Sequence, residues 1–272
     1  MMKIGIMQGR LSQKPNQPLQ SFPLLTWKKE FTYASTLGIE AIEWLLDGTQ
    51  DDINPITTQD GRNAILEISK KSGVKVSTLC AHSFIDGKLI GGGNEAQLAE
   101  EKLNNVFKWA DKVDIDYVIL PAMDKLSLRP HKSRKRIKAI LKKLLRGKGP
   151  TLLLECDLSA TELSIFVNSV KSDRIALVYD LGNAQALGFN IEKDLAILMP
   201  MIKEIHIKDR RNNNGPSCRL GSGDTPFYES MTSLAKARWD GPLVLETPIF
   251  EDWKAEAEHN LTFIKNCLDN RS

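Results

Sequence analysis

The sequence has 272 residues, of which 42% are hydrophobic and 26% charged, and its net charge at pH 7 is +3. This is the composition of an ordinary globular protein that is long enough to bury one sizeable core. The four cysteines lack the C-x-x-C spacing of zinc or redox motifs, which argues against a disulfide framework and favours a reduced, cytoplasmic setting. The first residues form no secretion signal, and no apolar run approaches the roughly 20 residues that cross a bilayer.

Short aliphatic and β-branched runs alternate with longer segments of helical periodicity along the whole sequence. The predicted strands are residues 3–7, 39–44, 74–80, 116–121, 151–155, 174–180, 203–208 and 242–247. The predicted helices are residues 25–37, 57–71, 95–113, 132–146, 160–168, 191–199, 226–237 and 253–268. Eight repeats in 272 residues give about 34 residues per repeat, which is the size of one βα unit.

The repeats follow one another without a linker, so the sequence predicts a single domain over residues 1–272. The predicted fold is α/β, a (β/α)8 TIM barrel in which outer helices surround eight parallel strands. A doubly wound open sheet is the alternative, but it usually has a glycine-rich loop after its first strand, and residues 8–12 do not form a G-x-G-x-x-G motif. Ser159 and Glu162 predict a capping box, and Thr225 before Pro226 predicts another helix start.

The predicted connections after the strands are longer than those after the helices. The long ones are residues 8–24, 81–94, 122–131 and 209–225. Because TIM barrels build their active sites from the loops that follow the strands, we expect the functional side chains at the carboxyl ends of the strands.

Residues 129–148 contain ten Lys or Arg and no Asp or Glu, which leaves 27 basic and 34 acidic side chains elsewhere, a net charge of −7. Within this stretch Ile137, Ile140 and Leu144 recur at helical spacing. The pattern predicts an outer helix with a solvated basic face, remote from the strand ends. We therefore do not expect nucleic acid to bind there.

Four consecutive predicted strands end in a side chain that can bind a metal: Glu155, Asp180, His206 and Glu246. Each follows an aliphatic run, and a buried carboxylate is costly unless a cation or another partner compensates its charge. A helix cap, an ion pair or a hydrogen-bonded core histidine could explain any one of them. One hard divalent ion explains all four together, and this ligand set suits Mn²⁺, Mg²⁺ or Co²⁺ better than a structural zinc.

Several motifs resemble those of the xylose-isomerase-like TIM-barrel superfamily of sugar and sugar-phosphate isomerases and epimerases. In chain order they are Leu-Leu-Glu155, Tyr-Asp180-Leu-Gly-Asn183, His206-Ile-Lys208-Asp209, Gly221-Ser-Gly-Asp224 and Leu-Glu246-Thr. Residues 5–12 and 37–43 are also similar to that group, so the resemblance spans nearly the whole chain.

The resemblance implies that Glu155, Asp180, His206 and Glu246 hold one divalent ion, Mn²⁺ in the first place, with Mg²⁺, Co²⁺ or Zn²⁺ as alternatives. It also implies that Glu155 and Glu246 form the acid/base pair of a ketose 3-epimerase. A metal-polarised ketose would lose its C3 proton to one glutamate, form an enediolate, and regain a proton from the other glutamate on the opposite face.

Asn183 departs from the superfamily pattern, because epimerases of this group often carry a histidine three residues after the aspartate ligand. We include Asn183 among the expected substrate contacts. The chain has only four histidines, which argues against the histidine-rich zinc cluster of the DNA-repair endonucleases that share this fold.

Two polar residues, Glu43 and His82, lie at or just beyond the ends of predicted strands on the same side. Each either contacts substrate or supports a loop through a hydrogen bond. Basic residues also occur in the loops on this side, and they could bind a substrate phosphate or carboxylate or remain solvated. These are Arg10, Lys208, Arg210, Arg211 and Arg219.

The sequence thus predicts a metal-dependent sugar or sugar-phosphate epimerase or isomerase whose partner is a small sugar. Two alternatives stay open: a metal-dependent dehydratase of a keto-inositol or sugar acid, and a barrel that binds sugar without turnover. No membrane partner is expected, and the sequence leaves open a homo-oligomer.

Overall fold

The computed structural model describes residues 2–13 and 17–269. Its barrel strands are β1 (Ile4–Met7), β2 (Ala41–Leu45), β3 (Lys75–Cys80), β4 (Tyr117–Ala122), β5 (Thr151–Cys156), β6 (Ile175–Asp180), β7 (Ile202–Ile207) and β10 (Leu243–Leu245). Two short strands, β8 (Asp209–Arg210) and β9 (Ser217–Cys218), form an antiparallel pair.

The helices come in chain order between and after these strands. They are α1 (Trp27–Leu37), α2 (Gln59–Ser72), α3 (Gly93–Asp111), α4 (His131–Leu144), α5 (Ala160–Val170), α6 (Leu181–Ala186), α7 (Ile191–Leu198), α8 (Phe227–Lys236) and α9 (Trp253–Asp269). None of them, within the described ranges, combines the length and apolar character that a membrane span requires.

The strands form a closed barrel in the order β1-β10-β7-β6-β5-β4-β3-β2. The pairs β1–β10, β10–β7, β3–β4, β4–β5 and β5–β6 are parallel. The predicted α/β TIM barrel is therefore confirmed, and the open-sheet alternative is wrong.

The chain divides into two compact units. The first unit contains Met1–Ile42 and Tyr179–Ser272, and the second contains Glu43–Val178. In the first unit, Val244 of β10 lies opposite both Gly5 of β1 and His206 of β7. The single domain over residues 1–272 stays a prediction.

In the second unit, β4 and β5 are buried on both faces. Residues 118–120 and 152–154 are 0% exposed. Parallel strands that are covered on both faces need apolar side chains at every position, which is why these segments are continuous aliphatic runs.

The predicted helix starts have different outcomes. The capping box at Ser159 is confirmed, because its side chain accepts from the backbone N–H of Glu162 while the Glu162 carboxylate accepts from Ser159. The second predicted start, with Thr225 before the first helical residue Pro226, is wrong by one residue. Pro226 is the N-cap residue of α8, and the helix begins at the next residue. The Thr225 hydroxyl instead accepts a hydrogen bond from the backbone N–H of Arg210, at 3.3 Å.

The predicted basic helix is α4. Its residues Lys135 and Lys142 are exposed, while Ile137 and Ile140 are buried. Arg134 lies 3.8 Å from the Glu162 carboxylate on α5, so part of the positive charge is paired within the same unit. All four cysteines lie within the described ranges and are free thiols.

Candidate metal and active site

Asp180 is the last residue of β6 and the N-cap of α6. Its Oδ1 accepts a hydrogen bond of 2.8 Å from the backbone N–H of Asn183, so the start of α6 fixes the direction of the carboxylate. Its Oδ2 lies 3.0 Å from Nζ of Lys208, and both side chains are buried. The helix cap and the ion pair therefore use different oxygens of one carboxylate.

His206 and Glu246 belong to the neighbouring strands β7 and β10 or follow them directly. Nδ1 of His206 lies 3.0 Å from Oε2 of Glu246, and both side chains are buried. The ligand atoms of Asp180 and His206 lie within 4.8 Å of each other. Three of the four predicted metal ligands thus come together within the first unit.

Both oxygens of Glu246 have partners. Oε1 lies 2.6 Å from Nζ of Lys208 and accepts a hydrogen bond of 2.5 Å from the Gln20 side chain. Burial alone would raise the pKa of Glu246, but the charge of Lys208 and the hydrogen bond with His206 outweigh burial and hold that pKa well below its usual value. Glu246 is therefore an ionised carboxylate in a buried setting.

Glu204 is a site residue that we did not predict. It lies two positions before His206 in β7, and its Oε1 is 3.1 Å from Nε2 of His206. Both side chains are about 1% exposed. Since side chains two apart on a strand share a face, the sequence signal was the Glu-Ile-His spacing inside a strand whose other residues are isoleucines and Lys203.

Gln20 was also missed, and Arg10 is placed by the same loop. The Arg10 guanidinium donates to the Gln20 side-chain oxygen at 3.1 Å and to the backbone oxygen of Gln8 at 3.3 Å. Arg10 is only 2% exposed. The bond to Gln20 holds the loop residue that contacts Glu246. The predicted contact of Arg10 with substrate stays a prediction.

The carboxylate of Glu30 organises the loop after β1. Its Oε1 accepts hydrogen bonds from the backbone N–H groups of Gly9 and Leu11 and from the Ser12 hydroxyl, at 3.1, 3.2 and 2.7 Å. Burial raises the pKa of Glu30 to about 7, and these hydrogen bonds offset only part of that effect.

The loop after β7 is held together by Asp209 and Arg210. The Asp209 carboxylate accepts from the backbone N–H groups of Gly221, Gly223 and Thr225, at 2.9, 2.8 and 3.2 Å. Nη1 of Arg210 donates to the Asn183 side-chain oxygen at 2.9 Å. Asn183 therefore links the start of α6 to this loop, through its backbone on one side and its side chain on the other.

Arg219 forms two hydrogen bonds with the Glu256 carboxylate on α9, at 3.1 and 2.6 Å. The structure thus gives this predicted substrate-binding residue a partner within the protein. Arg211 lies 3.8 Å from Asp224 and is mostly exposed.

The remaining predicted residues lie in the second unit. Glu155 is at the end of β5 opposite Pro121 and is buried. Glu43 is buried in β2 and lies 3.4 Å from the Thr78 hydroxyl, which donates to it. His82 begins the 3-10 turn that follows β3 and is half-buried.

The donor chemistry of the first unit fits a hard divalent ion. Asp180 and Glu246 supply carboxylate oxygens and His206 supplies an imidazole nitrogen, which are ligands that Mn²⁺, Mg²⁺ and Zn²⁺ accept. The buried ammonium of Lys208 between the two carboxylates shows that this position attracts positive charge.

A closed parallel barrel with carboxylates and a histidine where its strands end defines a TIM-barrel protein with a candidate metal-binding active site. The chain belongs to the xylose isomerase-like TIM barrel family, whose sequence model matches residues 31–267. The superfamily resemblance noted in the sequence is therefore confirmed.

Among curated relatives, the L-ribulose-5-phosphate 3-epimerase UlaE of Escherichia coli (strain K12) is 22% identical over 257 residues, which are 89% of this chain and 88% of UlaE. A solved structure of L-ribulose 3-epimerase is 19% identical with a TM-score of 0.73, covering 100% of this chain and 96% of that one. The IolI protein with a bound zinc atom is 14% identical with a TM-score of 0.76, covering 100% and 99%. The isomerase class predicted from the sequence agrees with the names of the two epimerases.

Proposed function

We propose that this protein is a metal-dependent epimerase or isomerase that acts on a ketose or ketose phosphate. The observation that carries the proposal is the buried group of Asp180, His206 and Glu246, which lies where β6, β7 and β10 end. The names of the relatives support the same class of reaction.

Four residues would hold the ion: Glu155, Asp180, His206 and Glu246. Glu155 is included because it is a buried carboxylate at the end of β5, which is next to β6 in the barrel order. We propose Mn²⁺ as the ion, because oxygen ligands outnumber nitrogen in this set. When bound, such an ion polarises the carbonyl of a ketose and stabilises negative charge on its oxygens.

Glu155 and Glu246 would move the proton. One carboxylate removes the proton from the carbon next to the carbonyl, and the other returns a proton from the opposite face, which inverts that centre. Glu246 is ionised, as a proton acceptor must be, while the low pKa that Lys208 and His206 impose on it also makes it a weaker base.

The remaining predicted residues would contact the sugar or line the space around it. Lys208 and Asn183 lie beside the proposed ligands, and His82, Glu43, Arg10 and Arg219 are kept as proposed substrate contacts. Because one curated relative is named for a sugar phosphate, the cationic side chains are the candidates for a phosphate group. The cytoplasmic location and the oligomeric state stay predictions.

The test is exchange at the reacting carbon. We would incubate the purified protein with Mn²⁺ in deuterated water, with L-ribulose 5-phosphate and L-ribulose as first substrates, and follow deuterium at C3 and the product by NMR. We expect deuterium incorporation and an inverted centre, both abolished by EDTA. A product that has lost water would instead identify the dehydratase alternative.

Substitutions test whether the two glutamates take part in the reaction. Glu155→Gln and Glu246→Gln should each lower turnover by about 100-fold or more, as expected for the loss of a general acid or base. Glu192→Gln on the exposed start of α7 is the matched control and should keep full activity. Unchanged C3 exchange in both site variants would refute the acid/base pair, and failure of the wild type to bind metal would favour the sugar-binding barrel.

A further inference from the structure

The imidazole of His206 is held between two carboxylates. Nδ1 lies 3.0 Å from Glu246, and Nε2 lies 3.1 Å from Glu204 on the same strand. The side chains of His206 and Glu204 are both about 1% exposed, so no bulk water competes for this contact. A carboxylate buried to this degree is costly unless a hydrogen bond compensates it, and His206 provides that bond.

The two ring nitrogens face different surroundings. Nδ1 points to Glu246, whose other oxygen contacts Lys208, and Lys208 in turn contacts Asp180. Nε2 points to Glu204, which is not among the proposed metal ligands. The ring is therefore oriented with one nitrogen towards the candidate metal ligands and the other towards a separate carboxylate.

A neutral imidazole carries one N–H and one lone pair, and a metal binds the nitrogen that has the lone pair. A carboxylate that accepts the N–H from the other nitrogen fixes the tautomer, fixes the plane of the ring and makes the ligand more basic. Loss of such a partner typically weakens metal binding by about 10- to 100-fold.

We propose that Glu204 is a positioning residue that keeps a proton of His206 on Nε2, so that Nδ1, which contacts Glu246 in the metal-free protein, is the nitrogen that binds the ion. This inference rests on the proposed function, because it requires His206 to be a metal ligand. It adds a residue that neither the superfamily resemblance nor the strand-end pattern pointed to, since Glu204 lies inside β7 and not at its end.

The test compares two substitutions that differ in one property. Glu204→Leu removes the acceptor and keeps a side chain of similar size, whereas Glu204→Gln loses the charge but keeps an oxygen that can accept from Nε2. The control is Leu195→Ala, a buried residue of α7 whose loss should destabilise the protein without removing any partner of His206. It shows what destabilisation alone does to metal binding.

Two readouts are measured on the purified protein. Calorimetric titration with Mn²⁺ gives the dissociation constant. Long-range ¹H–¹⁵N NMR of histidine-labelled protein loaded with Zn²⁺ shows which nitrogen of His206 carries the proton, and the signals of the four histidines are assigned by comparison with His206→Gln.

We expect the wild type loaded with Zn²⁺ to carry the proton on Nε2. Glu204→Leu should weaken Mn²⁺ binding by about 10- to 100-fold, with a smaller loss in Glu204→Gln and a change of less than twofold in Leu195→Ala. If the wild type binds Mn²⁺ and Glu204→Leu binds it equally well with the proton still on Nε2, Glu204 has no positioning role and the proposed function stands. If the wild type binds no Mn²⁺, the proposed function itself fails.

Discussion

Nζ of Lys208 lies 2.6 Å from Oε1 of Glu246, and both side chains are less than one-tenth exposed. The same ammonium lies 3.0 Å from Oδ2 of Asp180. One positive charge thus faces two carboxylates that we propose as metal ligands. Without a metal ion, the Lys208 ammonium compensates the negative charge of the two carboxylates. A bound ion would compensate part of that charge.

The first prediction concerns the removal of this ammonium. Lys208→Met should lower the free energy of unfolding of the metal-free protein by about 3 kcal/mol or more, because it leaves buried carboxylates without their cation. Saturating Mn²⁺ should then raise the melting temperature more in the variant than in the wild type, because the Lys208 ammonium no longer repels the ion. Calorimetry with and without Mn²⁺ measures both effects.

Lys203→Met is the matched control for Lys208→Met, because Lys203 lies in β7, the strand that Lys208 directly follows, but is exposed. It should reproduce the wild-type melting temperatures with and without Mn²⁺. An equal thermal shift on Mn²⁺ addition in Lys208→Met and in the wild type would contradict the idea that the ammonium and the ion share one position.

The second prediction is a pH dependence that comes from Glu30. Its pKa is raised to about 7 in the folded protein, so the folded state holds this proton more tightly than the unfolded chain. The associated stability is fully present below about pH 4.5 and is lost as the pH rises to about 7. A shift of this size corresponds to about 3 kcal/mol.

Glu30→Gln removes the titration but keeps an oxygen for the three donors of the loop. We expect its free energy of unfolding, measured by denaturant titration, to fall less between pH 5 and pH 8 than that of the wild type. Glu40→Gln changes an exposed glutamate in the same unit and should keep the wild-type slope. Parallel slopes for wild type and Glu30→Gln would show that Glu30 does not titrate in this window.

Much of the fold could be predicted, because parallel strands that are buried on both faces leave a strong sequence signal. Residues 118–120 and 152–154 are uniformly aliphatic for this reason. Helix α6 was missed because its six residues, Leu181–Ala186, are too short to show a helical period. It forms where Asp180 caps its first turn, a role that the strand-end position of Asp180 left open beside metal binding.

The candidate site was predictable where the chemistry is local and not where it depends on distant contacts. Asp180, His206 and Glu246 stand at strand ends, and their residue types alone mark them. Gln20 reaches Glu246 across 226 positions of sequence, from a loop whose path no pattern specifies. Glu204 carried a local signal, a carboxylate two residues before a histidine. A single carboxylate within a strand is a weak indication of a site residue, however.

The third prediction concerns Arg219, which is 43% exposed, and its partner Glu256, which is buried. Arg219→Gln leaves a buried carboxylate without its cation, so it should lower the free energy of unfolding by about 1–3 kcal/mol, more than Glu256→Gln does. If the pair is structural, KM changes less than twofold in both variants. A tenfold rise in KM for Arg219→Gln alone, at unchanged stability, would instead support the predicted contact with substrate.

The fourth prediction concerns the close approach of Gly223 to Asp209. A methyl group at Gly223 would overlap the Asp209 carboxylate, which accepts from the backbone N–H of Gly223 itself. Gly223→Ala should therefore break the contacts that order the loop after β7 and lower the free energy of unfolding by about 1–3 kcal/mol. Limited proteolysis should cut this loop faster in the variant than in the wild type.

Gly92→Ala is the matched control for Gly223→Ala, because nothing lies within 4 Å of a methyl group at Gly92 and its φ of −128° suits any residue. It should leave both the stability and the cleavage rate of the loop after β7 unchanged. Since Asp209 directly follows Lys208, disorder of this loop should also weaken Mn²⁺ binding in Gly223→Ala. Wild-type Mn²⁺ affinity together with rapid cleavage would show that the loop and the candidate metal site are independent.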